Sequence, residues 1–162
     1  MSPYRRLTTK RVGEILIAKG VVSKMQLDEA LKLQLSRPGT RVGELLVEMG
    51  AATQLDVVQA LTLQFGFPYF PVARYEISPD VLTLIPEESI RRLKAIPVER
   101  MGKVLTVAMS DPIDEAAIQE IAEATGCTLQ ITVSPFNEIE AAFENRRAAL
   151  KEWNQDAQGG NS

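Results

Sequence analysis

Two arginines, each two residues ahead of a glycine, carry the most pointed chemistry in this chain. Arg11-Val12-Gly13 and Arg41-Val42-Gly43 stand thirty residues apart, and each opens an apolar stripe of helical period. A helix N-terminus presents unpaired amides and the positive end of a dipole, which suits a phosphate. A guanidinium beside it can pair with phosphate, or stack on a base and donate to its acceptor edge. Glycine in a first helical turn costs up to ~1 kcal/mol relative to alanine. The same glycine in both places suggests close approach by another backbone or by a ligand. The alternative is that Gly13 and Gly43 serve helix–helix contact and the arginines are surface charges.

Composition removes most other chemistry. The 162 residues include no His, so imidazole-dependent metal sites and catalytic dyads or triads are excluded. The lone Cys127 cannot form an intramolecular disulfide and reads as a small buried apolar residue at a strand start. Lys103 follows Gly102, but no G-x-x-x-x-G-K-[ST] loop is present. Asp111 and Glu115 fall at a helix start, where capping and the dipole explain them. We therefore expect no enzyme, no metal and no cofactor.

Charge narrows the partners. Lys plus Arg number 18 and Asp plus Glu 21, a net charge of −3. That balance excludes a generally basic nucleic-acid binder and a highly charged disordered chain, so neither DNA nor RNA is expected. Residues 1–67 carry nine basic and six acidic side chains; residues 68–162 carry nine and fifteen. The basic excess of the first half suits an anionic ligand. No apolar run approaches the ~20 residues that span a bilayer, and no signal-peptide core follows MSPYRRLTTKR. A cytoplasmic location is the expectation.

The two arginines belong to a longer repeat. RVGEILIAKGVVSKMQLDEALKLQ (11–34) and RVGELLVEMGAATQLDVVQALTLQ (41–64) agree at ten of 24 positions. Chance gives one or two, so a supersecondary unit is duplicated. Each copy reads as helix, turn, helix. The first helix ends at Gly20 or Gly50, glycines suited to the left-handed conformation after a helix. Ser23 with Gln26, and Thr53 with Asp56, signal the N-cap of the second. Its apolar face is Leu27, Ala30 and Leu31 in one copy, and Val57, Ala60 and Leu61 in the other. Pro38-Gly39 marks a turn between copies.

The spacing R-[apolar]-G-x-x-[apolar]-[apolar]-x-x-G-x(6)-L-x-x-x-L-x-x-Q, given twice, resembles the cyclic-di-GMP-binding N-terminal (MshEN) domain of type II secretion and type IV pilus assembly ATPases. The resemblance extends through FGFPYFPVARYEISPDVLTLIPEESIRRLKAIPVERMGKVLTVAMSDP, covering residues 8–147. It implies cyclic di-GMP as ligand. The implied ligand residues are Arg11, Val12, Gly13, Leu27, Leu31 and Gln34, then Arg41, Val42, Gly43, Val57, Leu61 and Gln64. Valine stands after each Arg, and at 57, where the family usually has leucine. The resemblance also implies a regulatory receptor module without the motor domain. An adaptor that binds no nucleotide and docks onto a secretion or pilus component is the alternative.

The second half changes character. GFPYFPVARY (66–75), with four aromatics and two prolines, reads as a connector anchored to the core. Two short helices are expected, one with Ser78 as N-cap and Pro79 at its first position, the other with Pro86 at its first position. AIPVERM and KVLTVAM flank Gly102-Lys103 as a β-hairpin. A helix from Asp111-Pro112 to Thr125 is closed by Gly126, CTLQITV is a third strand, and a last helix runs from Ser134-Pro135 to about Trp153. The expected class is α+β: tandem helical hairpins over 1–66, a connector over 67–94, a small α/β subdomain over 95–153 and a disordered tail over 154–162.

Overall fold

The repeat in sequence is also a repeat of backbone. In the computed structural model, which describes residues 11–159, the first copy forms α1 (Val12–Ala18) and α2 (Lys24–Ser36). The second forms α3 (Val42–Glu48) and α4 (Gln54–Phe65). Gly20 and Gly50, past the ends of α1 and α3, take φ of +73° and +74°, a region that penalises any side chain. Both capping boxes form: Ser23 Oγ accepts from Gln26 N–H and Gln26 Oε1 from Ser23 N–H, with Thr53 and Asp56 making the same pair.

Packing obeys the duplication as well. The buried core of this unit, among the described residues, is Ile15, Leu16, Val22 and Ala30 with Leu45, Leu46, Ala52 and Ala60. These are four pairs at the repeat offset. The helices pair mainly across copies rather than within them: α1 lies against α4, α3 against α2, and α1 also meets α3. The two main contacts interchange when the copies are exchanged, whereas α3 also meets α4 within the second copy. A helix of seven residues such as α1 or α3 has little stability of its own. Burying Leu16 and Leu46, each fully enclosed, contributes ~1.5–3 kcal/mol apiece.

The chain divides into two compact units between Tyr69 and Phe70. The second opens with a 3-10 turn at Val72–Arg74, then α5 (Pro79–Leu82), α6 (Glu87–Leu93), β1 (Ala95–Met101), β2 (Val104–Met109), α7 (Glu115–Thr125), β3 (Thr128–Val133) and α8 (Phe136–Gly159). The sheet order is β1-β2-β3, with β1 antiparallel and β3 parallel to the central β2. α7 is the crossover that a parallel pair requires. The β1–β2 register shifts between Pro97 and Glu99. Proline has no amide to give a ladder and belongs at an edge strand or bulge, which is where Pro97 lies. Leu105, Val107, Ala108 and Met109 of β2 are fully buried. The protein is α+β, as expected.

Several boundaries differ from expectation. Much of the segment expected as a connector lies in the second core, where Val72, Ile77, Leu82, Ile85 and Ile90 are buried. Phe70 N–H donates to Val133 O at 2.8 Å, and Ser134 Oγ donates to Phe70 O at 2.5 Å, fixing the start of this unit to the end of β3. Pro86 is the N-cap of α6, one residue before the position expected. The helix expected from Asp111-Pro112 starts at Glu115, because Asp114 supplies the cap: its Oδ1 accepts from Ala117 N–H at 3.1 Å. α8 continues to Gly159, so residues 154–159 are helical where a disordered tail was expected. No proline or glycine interrupts that stretch before Gly159. Residues 160–162 of that tail lie outside the described residues.

Candidate functional site

Arg11 and Arg41 occupy equivalent places. Each is the N-cap of a seven-residue helix, with extended backbone at φ −81°, ψ 162° and φ −78°, ψ 147°. Neither side chain caps its own helix, and both residues are exposed. Their carbonyls accept the first helical bonds, from Ile15 N–H at 3.0 Å and Leu45 N–H at 3.3 Å. So short a helix carries a modest dipole. Recognition of an anion here would fall mainly to the guanidiniums. Val12 and Val42 follow, both half-buried.

The glycines have a packing explanation. A Cβ on Gly13 would stand 2.6 Å from Leu27 Cδ1, and one on Gly43 would stand 2.8 Å from Val57 Cγ1. Real carbon atoms do not approach so closely, so each glycine makes room for an apolar side chain of its own copy. The closest approach to each glycine is made by a side chain and not by another backbone. It is made by two residues that the family resemblance also names. Leu27 and Val57 are half-buried and pack on these glycines.

Leu27, Leu31 and Gln34 share a face of α2 at spacings of four and three, as do Val57, Leu61 and Gln64 of α4. Leu31 is 44% exposed and Leu61 is half-buried, so the stripes are available in different degrees. The two glutamines also differ. Gln34 is half-buried, and its Nε2 donates to the Thr40 carbonyl at 3.0 Å. Gln64 is 4% exposed. Because α1 packs on α4 and α3 on α2, each arginine helix lies against the stripe-bearing helix of the other copy.

Periodicity did not single out Thr40, although Pro38-Gly39 located its turn. The same turn holds an ion pair from Arg37 Nη1 to Glu48 Oε2 at 2.5 Å, both ends about half exposed. Such a pair contributes little on its own. Among the described residues no cluster of three His, Cys, Asp or Glu could hold a metal, and no helix is long and apolar enough to cross a membrane.

Comparison with known proteins bears on the two units unequally. The MshEN domain family model matches residues 65–152, just over half the chain and nearly all in the second unit. The type IV pilus assembly ATPase PilB of Myxococcus xanthus is 32% identical over 134 residues, 83% of this chain and 24% of that protein. The PilB of Thermus thermophilus is 32% identical over 136 residues, 83% of this chain and 15% of its own. The chain thus spans a quarter or less of these relatives. A solved structure of MshE with cdg aligns over 84% of this chain and 98% of its own, at 30% identity and a TM-score of 0.70. The N-terminal domain of XpsE shares the fold, with 22% identity, 83% and 92% coverage and a TM-score of 0.62.

Proposed function

The chain belongs to the MshEN domain family, and from that premise we propose that it is a receptor module for cyclic di-GMP, the cdg of the MshE structure. One observation carries the reading: Arg-Val-Gly recurs in the same backbone setting in two interlocked copies. Cyclic di-GMP is two-fold symmetric, with two guanines and two phosphates. A protein unit whose core residues and main helix contacts interchange with its two copies offers it two similar half-sites. The MshE alignment covers more of the chain than the second unit alone supplies, so it reaches into the repeat as well.

The proposed division of labour follows from the side chains. Arg11 and Arg41 would donate to guanine acceptor edges and phosphates. Val12, Leu27 and Leu31, with Val42, Val57 and Leu61, would lie against the guanine faces. Burial there contributes ~25 cal/mol per Å². Gly13 and Gly43 would act indirectly, by seating Leu27 and Val57. The PilB relatives favour a regulatory place within a type IV pilus assembly ATPase. In that setting the chain would sense nucleotide and leave catalysis to another region.

Calorimetric titration of the chain with cyclic di-GMP, cyclic di-AMP and GTP tests this. Cyclic di-GMP is expected to bind in preference to both, and to weaken as salt screens the phosphate contacts. Equal affinity for the two cyclic dinucleotides would refute arginine readout of guanine. Absence of binding would leave a nucleotide-independent adaptor.

A further inference from the structure

Gln34 folds the end of α2 back onto the segment leading to Arg41. Its side chain meets a carbonyl, Thr40 O, at 3.0 Å, so the facing group is the amide nitrogen, donating. Its main-chain carbonyl accepts from Arg37 N–H at 3.1 Å, and Thr40 N–H donates to Arg37 O at 3.2 Å. Within the turn, Gly39 takes φ +91°, and Arg37 pairs with Glu48 of α3. One glutamine therefore grips both ends of the turn from Arg37 to Thr40.

The gripped carbonyl belongs to the peptide that joins Thr40 to Arg41. A trans peptide is planar, so holding its C=O toward Gln34 turns the Arg41 N–H to the opposite side. It also fixes the plane from which the Arg41 Cα, the N-cap of α3, departs. We propose that Gln34 is a positioning residue: it holds the Thr40–Arg41 peptide and so aims the second arginine, instead of touching the nucleotide. This rests on the cyclic di-GMP reading above and departs from the ligand contact that the family resemblance implies for Gln34.

The test is a pair of double-mutant cycles read by titration of the full chain with cyclic di-GMP. Gln34→Met keeps length and helix propensity but removes the donor; Gln34→Glu, similar in shape and also without a donor when ionised, is the second variant should Met disturb the fold. Gln34→Met is expected to weaken binding about three- to tenfold in the parent and again in an Arg11→Ala background. In an Arg41→Ala background it is expected to have no further effect, because the group it positions is gone. In the ligand-free protein, the amide resonance of Arg41 should shift and exchange faster in Gln34→Met, while that of Arg11 stays. Equal weakening in all three backgrounds, or none in any, overturns the positioning role, as does an unmoved Arg41 amide. Failure of the parent to bind cyclic di-GMP overturns the function itself, an outcome distinct from these.

Discussion

The two units differ in what their residues are used for. Among the described residues, the core cluster of the first holds eight buried residues, all of them in repeat-related pairs; that of the second holds eighteen around a three-stranded sheet. The first leaves Met25 and Leu35 more than four-fifths exposed on α2 and presents two arginines at matching helix starts. The second braces α6 with Arg91–Glu144, Arg92–Glu88 and Arg92–Glu120 ion pairs. The family model matches the unit with the larger core, whereas the motif that suggests a ligand lies in the other. Membership and ligand chemistry thus rest on different halves of the chain and break separately.

The largest separation should come from core truncation. Leu46→Ala and Leu105→Ala each remove a fully buried side chain at a cost of ~2–5 kcal/mol. The smaller core has less to lose, so Leu46→Ala should unfold the repeat and abolish cyclic di-GMP binding. Leu105→Ala should leave the sheet unit folded with a lowered midpoint. Denaturant unfolding followed by resolved amide resonances of each unit would distinguish the two. Matching losses in both units would make them one cooperative body.

Next come the arginines. Arg11→Ala and Arg41→Ala alter exposed positions, where stability changes usually stay within ~0.5 kcal/mol. Each should nonetheless weaken cyclic di-GMP by ~1.5–3 kcal/mol, more than about tenfold, the value of a charged hydrogen bond. Two folded variants that bind like the parent would move the site elsewhere.

A finer contrast lies inside the repeat. An alanine at 43 would meet Val57, a β-branched side chain with essentially one helical rotamer. An alanine at 13 would meet the end of the more adaptable Leu27. Alanine also gains up to ~1 kcal/mol of helix propensity over glycine. Gly13→Ala should therefore come out near neutral, and Gly43→Ala should cost ~1–2 kcal/mol through overpacking. Thermal melts of the two variants check the order, and the reverse order would contradict the close contacts.

The smallest effect concerns acid. Glu88 is held below its ordinary carboxylate range by its hydrogen bond from Arg92, then by the charge of Arg92. A carboxyl lowered by folding stabilises above its unfolded pKa, and that stabilisation is lost as pH falls through the folded value. Glu88→Gln should slightly flatten the acid limb of stability in the sheet unit and leave the repeat untouched. The Glu88 side chain is 73% exposed, so the change should be slight. Acid titration of unfolding midpoints measures it.

Local chemistry made much of this legible in the sequence. Ser23, Gln26, Thr53 and Asp56 announce their capping boxes because the partners lie three residues apart. Gly102 sits at the hairpin and Gly126 at the end of α7, where their residue type placed them. Contacts distant along the chain were not legible. Periodicity says that Leu16 faces a core but not which helix supplies the rest, so the pairing of α1 with α4 and α3 with α2 stayed hidden. The duplicated glycines pointed to close approach, but Leu27 and Val57 could be identified as the approaching groups only in three dimensions. Gln34 was visible as the end of a motif, and its bond to Thr40 was not. Residues 70–94 looked like a connector because their helices are short and broken by prolines, which conceals how many of their side chains are buried.

The central claim is that cyclic di-GMP binds the duplicated unit and not the sheet. Amide chemical-shift mapping of the isotope-labelled full chain during titration with cyclic di-GMP tests it directly. Shifts confined to the neighbourhoods of Arg11–Gly13, Leu27–Gln34, Arg41–Gly43 and Val57–Gln64 are the predicted result. Shifts centred on the strands between Ala95 and Val133, or no shifts at saturating nucleotide, would contradict it.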